Sequence, residues 1–175
     1  MTRTRATTGK RKPFWWSSEQ EARPSFVYRP SVPSQTFEAS ATTSASPSAI
    51  WVQFQIPSTW EGITGVDEVL EPEFEDDRLT GFEFASTAAG KRYIGRARLG
   101  ESSPGESLKW DITTTEIRGW IRVDLAREAD GTRISVAMRV ESVSVMAAFG
   151  FPLIAGAIAS GFQETVDEFA AGLAS

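Results

Sequence analysis

From Val66 to Ser142 apolar and polar residues alternate in five or six short runs, each ended by turn chemistry. Successive side chains of a strand point to opposite faces, so such runs specify strands with one buried and one wet face, and no helical period fits the region. Val66 to Phe74 ends at the acidic turn Glu75-Asp76-Asp77, and Leu79 to Ser86 carries Phe82 and Phe84 on one face. Ala88-Ala89-Gly90-Lys91 turns the chain into a run that sets Tyr93, Gly95, Ala97 and Leu99 against Arg92, Ile94, Arg96 and Arg98. After Ser103-Pro104-Gly105, Leu108, Trp110 and Ile112 alternate with Lys109, Asp111 and Thr113, and then Ile121, Val123 and Leu125 with Trp120, Arg122 and Asp124. Asp130-Gly131, the strongest hairpin signal in the chain, leads into Ile134, Val136, Met138 and Val140. Short turns between neighbouring runs mean an antiparallel meander. Its wet face holds Arg92, Arg96, Arg98, Arg122, Arg133 and Arg139, expected to pair across strands with Glu83, Asp111 and Asp124.

A sheet with one apolar face needs a cover. The spacing Ile154, Ile158, Phe162, Val166, Phe169, Leu173 predicts one amphipathic helix of about 20 residues, with Glu164, Asp167 and Glu168 on its wet side. Residues 142–163 carry no charge, the length of a membrane span, but Pro152 and a crowd of small residues point to a buried helix instead. Upstream, Phe37, Ala39 and Ala41 alternate with Glu38, Ser40 and Thr42, predicting a first strand near 34–44. Ser46-Pro47 reads as an N-cap and first helical position for a short helix through Ile50, Trp51 and Phe54 that Pro57 stops. A second turn, Ser58 to Glu61, would set Trp60 under the sheet.

The chain has 175 residues with no cysteine and no histidine. That removes disulfides, thiolate nucleophiles, imidazole bases and Cys/His zinc sites, and leaves Asp, Glu, Lys, Tyr and Ser/Thr for any acid–base work; no metal or cofactor is expected. The net charge of −5 divides unevenly: residues 1–33 hold seven basic and two acidic side chains (+5), and the rest eleven and twenty-one (−10). An acidic body repels phosphate, so specific nucleic-acid binding is not expected. The basic arm, 1–33, is broken by Pro13, Pro24, Pro30 and Pro33 and is expected to be disordered, with the domain running from 34 to 175. Within it Lys10, Arg11 and Lys12, followed by Trp15 and Trp16, suit weak contact with an anionic membrane. The arm lacks the apolar segment of a secretory signal, so a cytoplasmic location is the expectation.

A strand, two small helices, a six-strand meander and a long closing helix resemble the order of the START-like superfamily, in its SRPBCC or polyketide cyclase/dehydrase-like group. The residues that carry the likeness are Ser34 to Trp60, with their strand, proline loop and Pro-x-x-Trp, and the closing Asp130-Gly131-Thr132-Arg133-Ile134-Ser135-Val136 hairpin with the helix after it. The resemblance implies an α+β helix-grip fold, a six- to seven-stranded antiparallel sheet wrapped around the C-terminal helix, with a cavity between them for a hydrophobic or amphipathic molecule. Fold alone does not choose between carriers and cyclases.

Given the faces read above, the expected cavity wall is Phe82, Phe84, Tyr93, Ala97, Trp110, Ile112, Ile121, Val136 and Met138 from the sheet, with Ile154, Ile158 and Phe162 from the helix. Small residues on both sides, Gly95, Ala97, Gly119, Ala155, Gly156, Ala159 and Gly161, leave volume that close packing would otherwise fill. No charged side chain falls at an inward position. Tyr93 is the candidate polar or catalytic group; Asp67, Glu68, Glu116 and Glu141 sit near strand ends and would reach inward only through a shift of register. Three functions stay open: binding of a lipid, isoprenoid or polyketide-like molecule, a cofactor-independent cyclase, aromatase or dehydratase, and a membrane-associated scaffold with a solid core.

Overall fold

A computed structural model describes residues 32–64, 66–88 and 90–174. Lys10, Arg11, Lys12, Trp15 and Trp16, with the rest of the arm through residue 31, lie outside the described residues. Seven strands follow the expected order: β1 (Ser34–Thr43), β2 (Glu68–Glu75), β3 (Arg78–Ala88), β4 (Lys91–Ser103), β5 (Ser107–Thr114), β6 (Ile117–Glu128) and β7 (Gly131–Ser142). Two short helices, α1 (Pro47–Gln53) and α2 (Thr59–Thr64), intervene after β1, and α3 (Phe151–Gly172) closes the chain. Among the described residues no helix is long and apolar enough to cross a membrane.

All pairings are antiparallel and the strand order is β1-β7-β6-β5-β4-β3-β2. Each hairpin joins sequence neighbours, and β1 closes onto β7, leaving β1 and β2 as edges. The expected alternation holds: Ile134, Val136, Met138 and Val140 are buried along β7 while Arg133 and Arg139 are exposed. Asp76 and Asp77 both take positive φ, 48° and 61°, between the paired residues Glu75 and Arg78. Two left-handed residues match the twist of a two-residue hairpin, and aspartate is among the few side chains that tolerate them. Pro72 sits at a register shift in edge strand β2, where a missing N–H costs no central ladder bond.

The last hairpin differs from its sequence signature. Glu128 pairs with Gly131, so Ala129 and Asp130 form the loop and Gly131 is the first residue of β7. Glycine is needed there for another reason: its φ is 151°, and a Cβ would stand 2.0 Å from the Thr43 carbonyl oxygen at the end of β1.

Ser46 caps α1 as expected, its hydroxyl accepting from the Ala49 N–H at 3.3 Å. Side chains just after α1 and within α2 then tie this region to the far side of the sheet: Gln55 Oε1 accepts from Leu79 N–H (3.1 Å) and Glu61 Oε1 from Val69 N–H (2.9 Å). At the other edge Gln163 of α3 pairs with the Ser40 backbone, donating to its carbonyl at 3.0 Å and accepting from its N–H at 3.4 Å. An edge strand exposes unpaired backbone groups, and the Gln163 amide satisfies one donor and one acceptor at once.

The outer face is laced with ion pairs, though not always those expected. Arg96 reaches Glu73 (2.9 Å) and Glu83 (3.8 Å), Arg92 reaches Glu68 (3.0 Å), and Arg133 meets Glu128 across the last hairpin (2.6 Å). Asp124 and Asp111 instead bind same-strand neighbours two residues away, Arg122 (2.9 Å) and Lys109 (3.6 Å). Arg139 donates to the Ser34 hydroxyl (3.4 Å), and Arg98 makes no ion pair among the described residues. Residues i and i+2 share a face, so a long cation folds along its own strand as readily as across.

Candidate functional site: a half-filled space under the closing helix

The concave face of the sheet and α3 enclose a space whose two halves are packed differently. Helix α3 lies against β1 and α2. Beneath its C-terminal half, Phe54, the C-cap of α1, stacks on Phe169 (5.8 Å between ring centroids) and meets Trp60 of α2 at a tilt (5.4 Å). Trp60 meets Trp110 edge-on at 5.4 Å, and Trp110 meets Phe82 at 5.0 Å. Such tilted contacts suit the ring quadrupoles, and together they plug this half with solid aromatic core. Val136, expected at the cavity wall, belongs to the solid part: it is buried opposite Val123 and Ala39 and does not line the open space.

Beneath the N-terminal half of α3 no equivalent wedge exists, and a cavity of about 190 Å³ remains. The other eleven wall residues read from the sequence meet there: Phe82, Phe84, Tyr93, Ala97, Trp110, Ile112, Ile121 and Met138 from the sheet, and Ile154, Ile158 and Phe162 from the helix. Ser86, Thr87, Val66, Ile117, Ala157 and Thr165 also line it; Ser86 and Ile117 continue the inward faces of Phe84 and Ile121, and the others stand beside strand ends or on a helix flank, where alternation carries no inward signal. Thr87 and Ala157 are solvent-exposed as well as lining, so the mouth lies between the end of β3 and α3.

The small residues do not all serve the space as expected. Ala97 and Gly161 line it, whereas Gly156 and Ala159 face solvent. Gly119 lies under the Arg139 carbonyl, 1.9 Å from where a Cβ would be. Gly95 matters indirectly: it pairs with Phe84, whose ring lies flat across it, 2.3 Å from the position of a Cβ. Without a side chain at 95 the ring folds down onto the sheet, and the volume above it stays open.

Among the described residues that line the cavity none is ionisable except Tyr93. The carboxylates at the strand ends remain outside: Glu68 binds Arg92, Glu141 binds Arg118, Asp67 is exposed, and Glu116 binds Lys91. The register shifts in β2 and β4 do not turn them inward. Of the polar lining groups, Thr114 is committed to the β5–β6 turn, accepting from the Glu116 and Ile117 N–H groups (3.1 and 3.0 Å) and donating to the Ile117 carbonyl (3.3 Å). Thr165 donates to Gly161 O at 2.8 Å. The Tyr93 hydroxyl has no hydrogen-bond partner among the described residues, and the Lys91 ammonium sits 4.8 Å from its ring centroid. Glu116, hydrogen-bonded to Lys91, raises the lysine pKa from its ordinary value, so Lys91 is a fixed cation at the rim. Trp110 Nε1 is buried without a partner, unlike Trp60 Nε1, which donates to Phe54 O at 3.0 Å.

No family model and no curated protein matches this sequence. Solved structures do match. A START superfamily protein from Mycobacterium smegmatis superposes with a TM-score of 0.59 over 79% of this chain and 98% of its own, at 11% identity. The Zhui aromatase/cyclase from a Streptomyces species gives 0.56 over 77% and 92%, at 12% identity, and an uncharacterised Rhizobium leguminosarum protein gives 0.55 over 81% and 97%, also at 12%. At such identities the likeness is one of fold: an α+β helix grip of START type.

Proposed function

We propose that this START-like helix grip binds a small, uncharged, largely apolar molecule carrying one polar group, held between the sheet and the N-terminal half of α3. The observation that carries the reading is a cavity of about 190 Å³ with a largely apolar wall, no charged group among the described lining residues, and the Tyr93 hydroxyl without a hydrogen-bond partner among them. Pockets for drug-sized ligands run to roughly 300–1,000 Å³, so the guest is small, one or two rings or a short isoprenoid chain. Apolar contact supplies the affinity, and Tyr93 orients the ligand by donating to or accepting from its oxygen.

The aromatase/cyclase among the structural neighbours supports a second reading, catalysis on a polyketide-like substrate. General acid–base chemistry needs a titratable group within hydrogen-bond reach of the reacting atom, and Tyr93 alone could serve. The absence of any carboxylate or lysine among the described lining residues favours binding over turnover.

Titrating the full chain with the neutral fluorophore N-phenylnaphthylamine tests the proposal. Saturable enhancement is expected for the native protein and for Tyr93→Phe, and strong weakening for Ile158→Trp, which fills the space from a half-buried position. Enhancement that is unsaturable, or indifferent to Ile158→Trp, would place the probe elsewhere and sink the reading.

A further inference from the structure

Large apolar side chains exposed to solvent are few in this fold, and they are not scattered evenly. Nine are exposed among the described residues; four of these, Val143, Val145, Met146 and Phe149, fall in the single connection from β7 into α3, and a fifth, Leu153, in the first turn of α3. Met146 and Phe149 are 78% and 81% exposed. The connection is an ordered structure: Ser144 Oγ accepts from Ala147 N–H, Ser144 O accepts from Ala148 N–H, and residues Ala147–Phe149 form a single 3-10 turn. A structured run of this kind, uncharged from residue 142 to 163, is a surface that something covers.

The start of the described chain lies directly beside it. The Pro33 carbonyl accepts from the Ser142 N–H at 3.0 Å, extending the β1–β7 ladder one step beyond Ser34–Glu141. The preceding residues therefore leave the domain alongside Val143. Those upstream residues include the apolar triplet Phe26-Val27-Tyr28, bounded by Pro24 and Pro30. Phe26 is six residue steps from Val32, an extended reach of about 20 Å, enough for the triplet to reach the 3-10 turn without leaving the patch. Charge favours the same approach, since residues 1–33 carry +5 and the remainder −10.

We propose that the segment Ser25–Arg29 of the N-terminal arm docks on the exposed apolar connection Val143–Leu153 of its own chain, with Phe26 and Tyr28 against Met146 and Phe149. The docked arm would strap the first turn of α3, whose next residues, Ile154 and Ile158, line the cavity. This inference is independent of what the cavity holds.

The chain has no cysteine, so a nitroxide on S25C labels one position. In the full chain at low concentration, isotope-labelled protein bearing this nitroxide is expected to lose amide signal selectively at Val145–Leu153, while β5 keeps its intensity. Adding Phe26→Asp should restore the signal, and that variant leaves the described core untouched. Equal losses across the surface, or none at Val145–Leu153, would overturn the proposal. So would selective loss when unlabelled, nitroxide-bearing S25C protein is mixed with isotope-labelled native chain, which would make a second copy the occupant. Patch signals that respond only to phosphatidylcholine vesicles would make a lipid surface the occupant instead.

Discussion

Trp60 and Trp110 touch each other in the same aromatic plug, are both fully buried, and differ at the indole N–H. Trp60 Nε1 donates to Phe54 O, whereas Trp110 Nε1 has no partner. A buried unsatisfied donor costs about 1–3 kcal/mol, similar to what is lost by trimming a buried indole to a phenyl ring, so Trp110→Phe is expected to change stability by no more than about 1 kcal/mol. Trp60→Phe orphans the Phe54 carbonyl as well as leaving a void, and should cost about 2–4 kcal/mol. Urea unfolding of the two variants measures the contrast, and equal losses would show that Trp110 is satisfied. Gly95→Ala tests the cavity from the other side. Its methyl group must lift the Phe84 ring into the open space, so probe affinity should fall and overpacking should cost about 1–3 kcal/mol. At this scale alternation placed Phe84 and Trp110 inward correctly. What one strand cannot show is a relation between strands, such as the ring of Phe84 lying across Gly95.

Among the elements, turns and edges carry the clearest consequences. Asp76 and Asp77 hold left-handed backbone that glycine adopts without penalty, so Asp77→Gly should raise stability by about 0.5–1 kcal/mol, read as a higher urea midpoint at unchanged slope. Strand β4 starts at Lys91, whose partner Glu116 lies in the β5–β6 turn. Because the folded lysine pKa is raised, the pair stabilises the fold fully below the ordinary value of 10.5 and loses this contribution as pH climbs through the higher folded value. The ammonium is exposed, so salt weakens the effect. An NMR titration of Lys91 should show its pKa fall back toward the ordinary value in Glu116→Gln. The acidic turn and the Ser46 cap were legible because each rests on chemistry within four residues, whereas α1 ends at Gln53, before Pro57 could stop it. The Gln163 clasp on Ser40 was not, since its partners are 123 residues apart and glutamine on a helix flank carries no signal of an edge strand.

For the molecule as a whole, the division into a solid and a hollow half is what a ligand would exploit. A guest at a hundred times its dissociation constant adds roughly 2.7 kcal/mol, which for a chain of this size is about 5–10 °C in melting temperature. Ile158→Trp should melt close to the native protein and lose the shift. The order of elements, the antiparallel meander, the apolar inner face and the amphipathic closing helix follow from the sequence alone, because period and turn chemistry are local properties that each segment expresses without its neighbours. Whether the inner face would be packed solid or left open was decided only when α1 and α2 were set under one half of α3 and not the other. That choice kept Val136 out of the cavity, brought Thr87 and Ala157 to its mouth, and left Tyr93 with an unspent hydroxyl. Volume belongs to no single segment: it is what remains once all of them have packed.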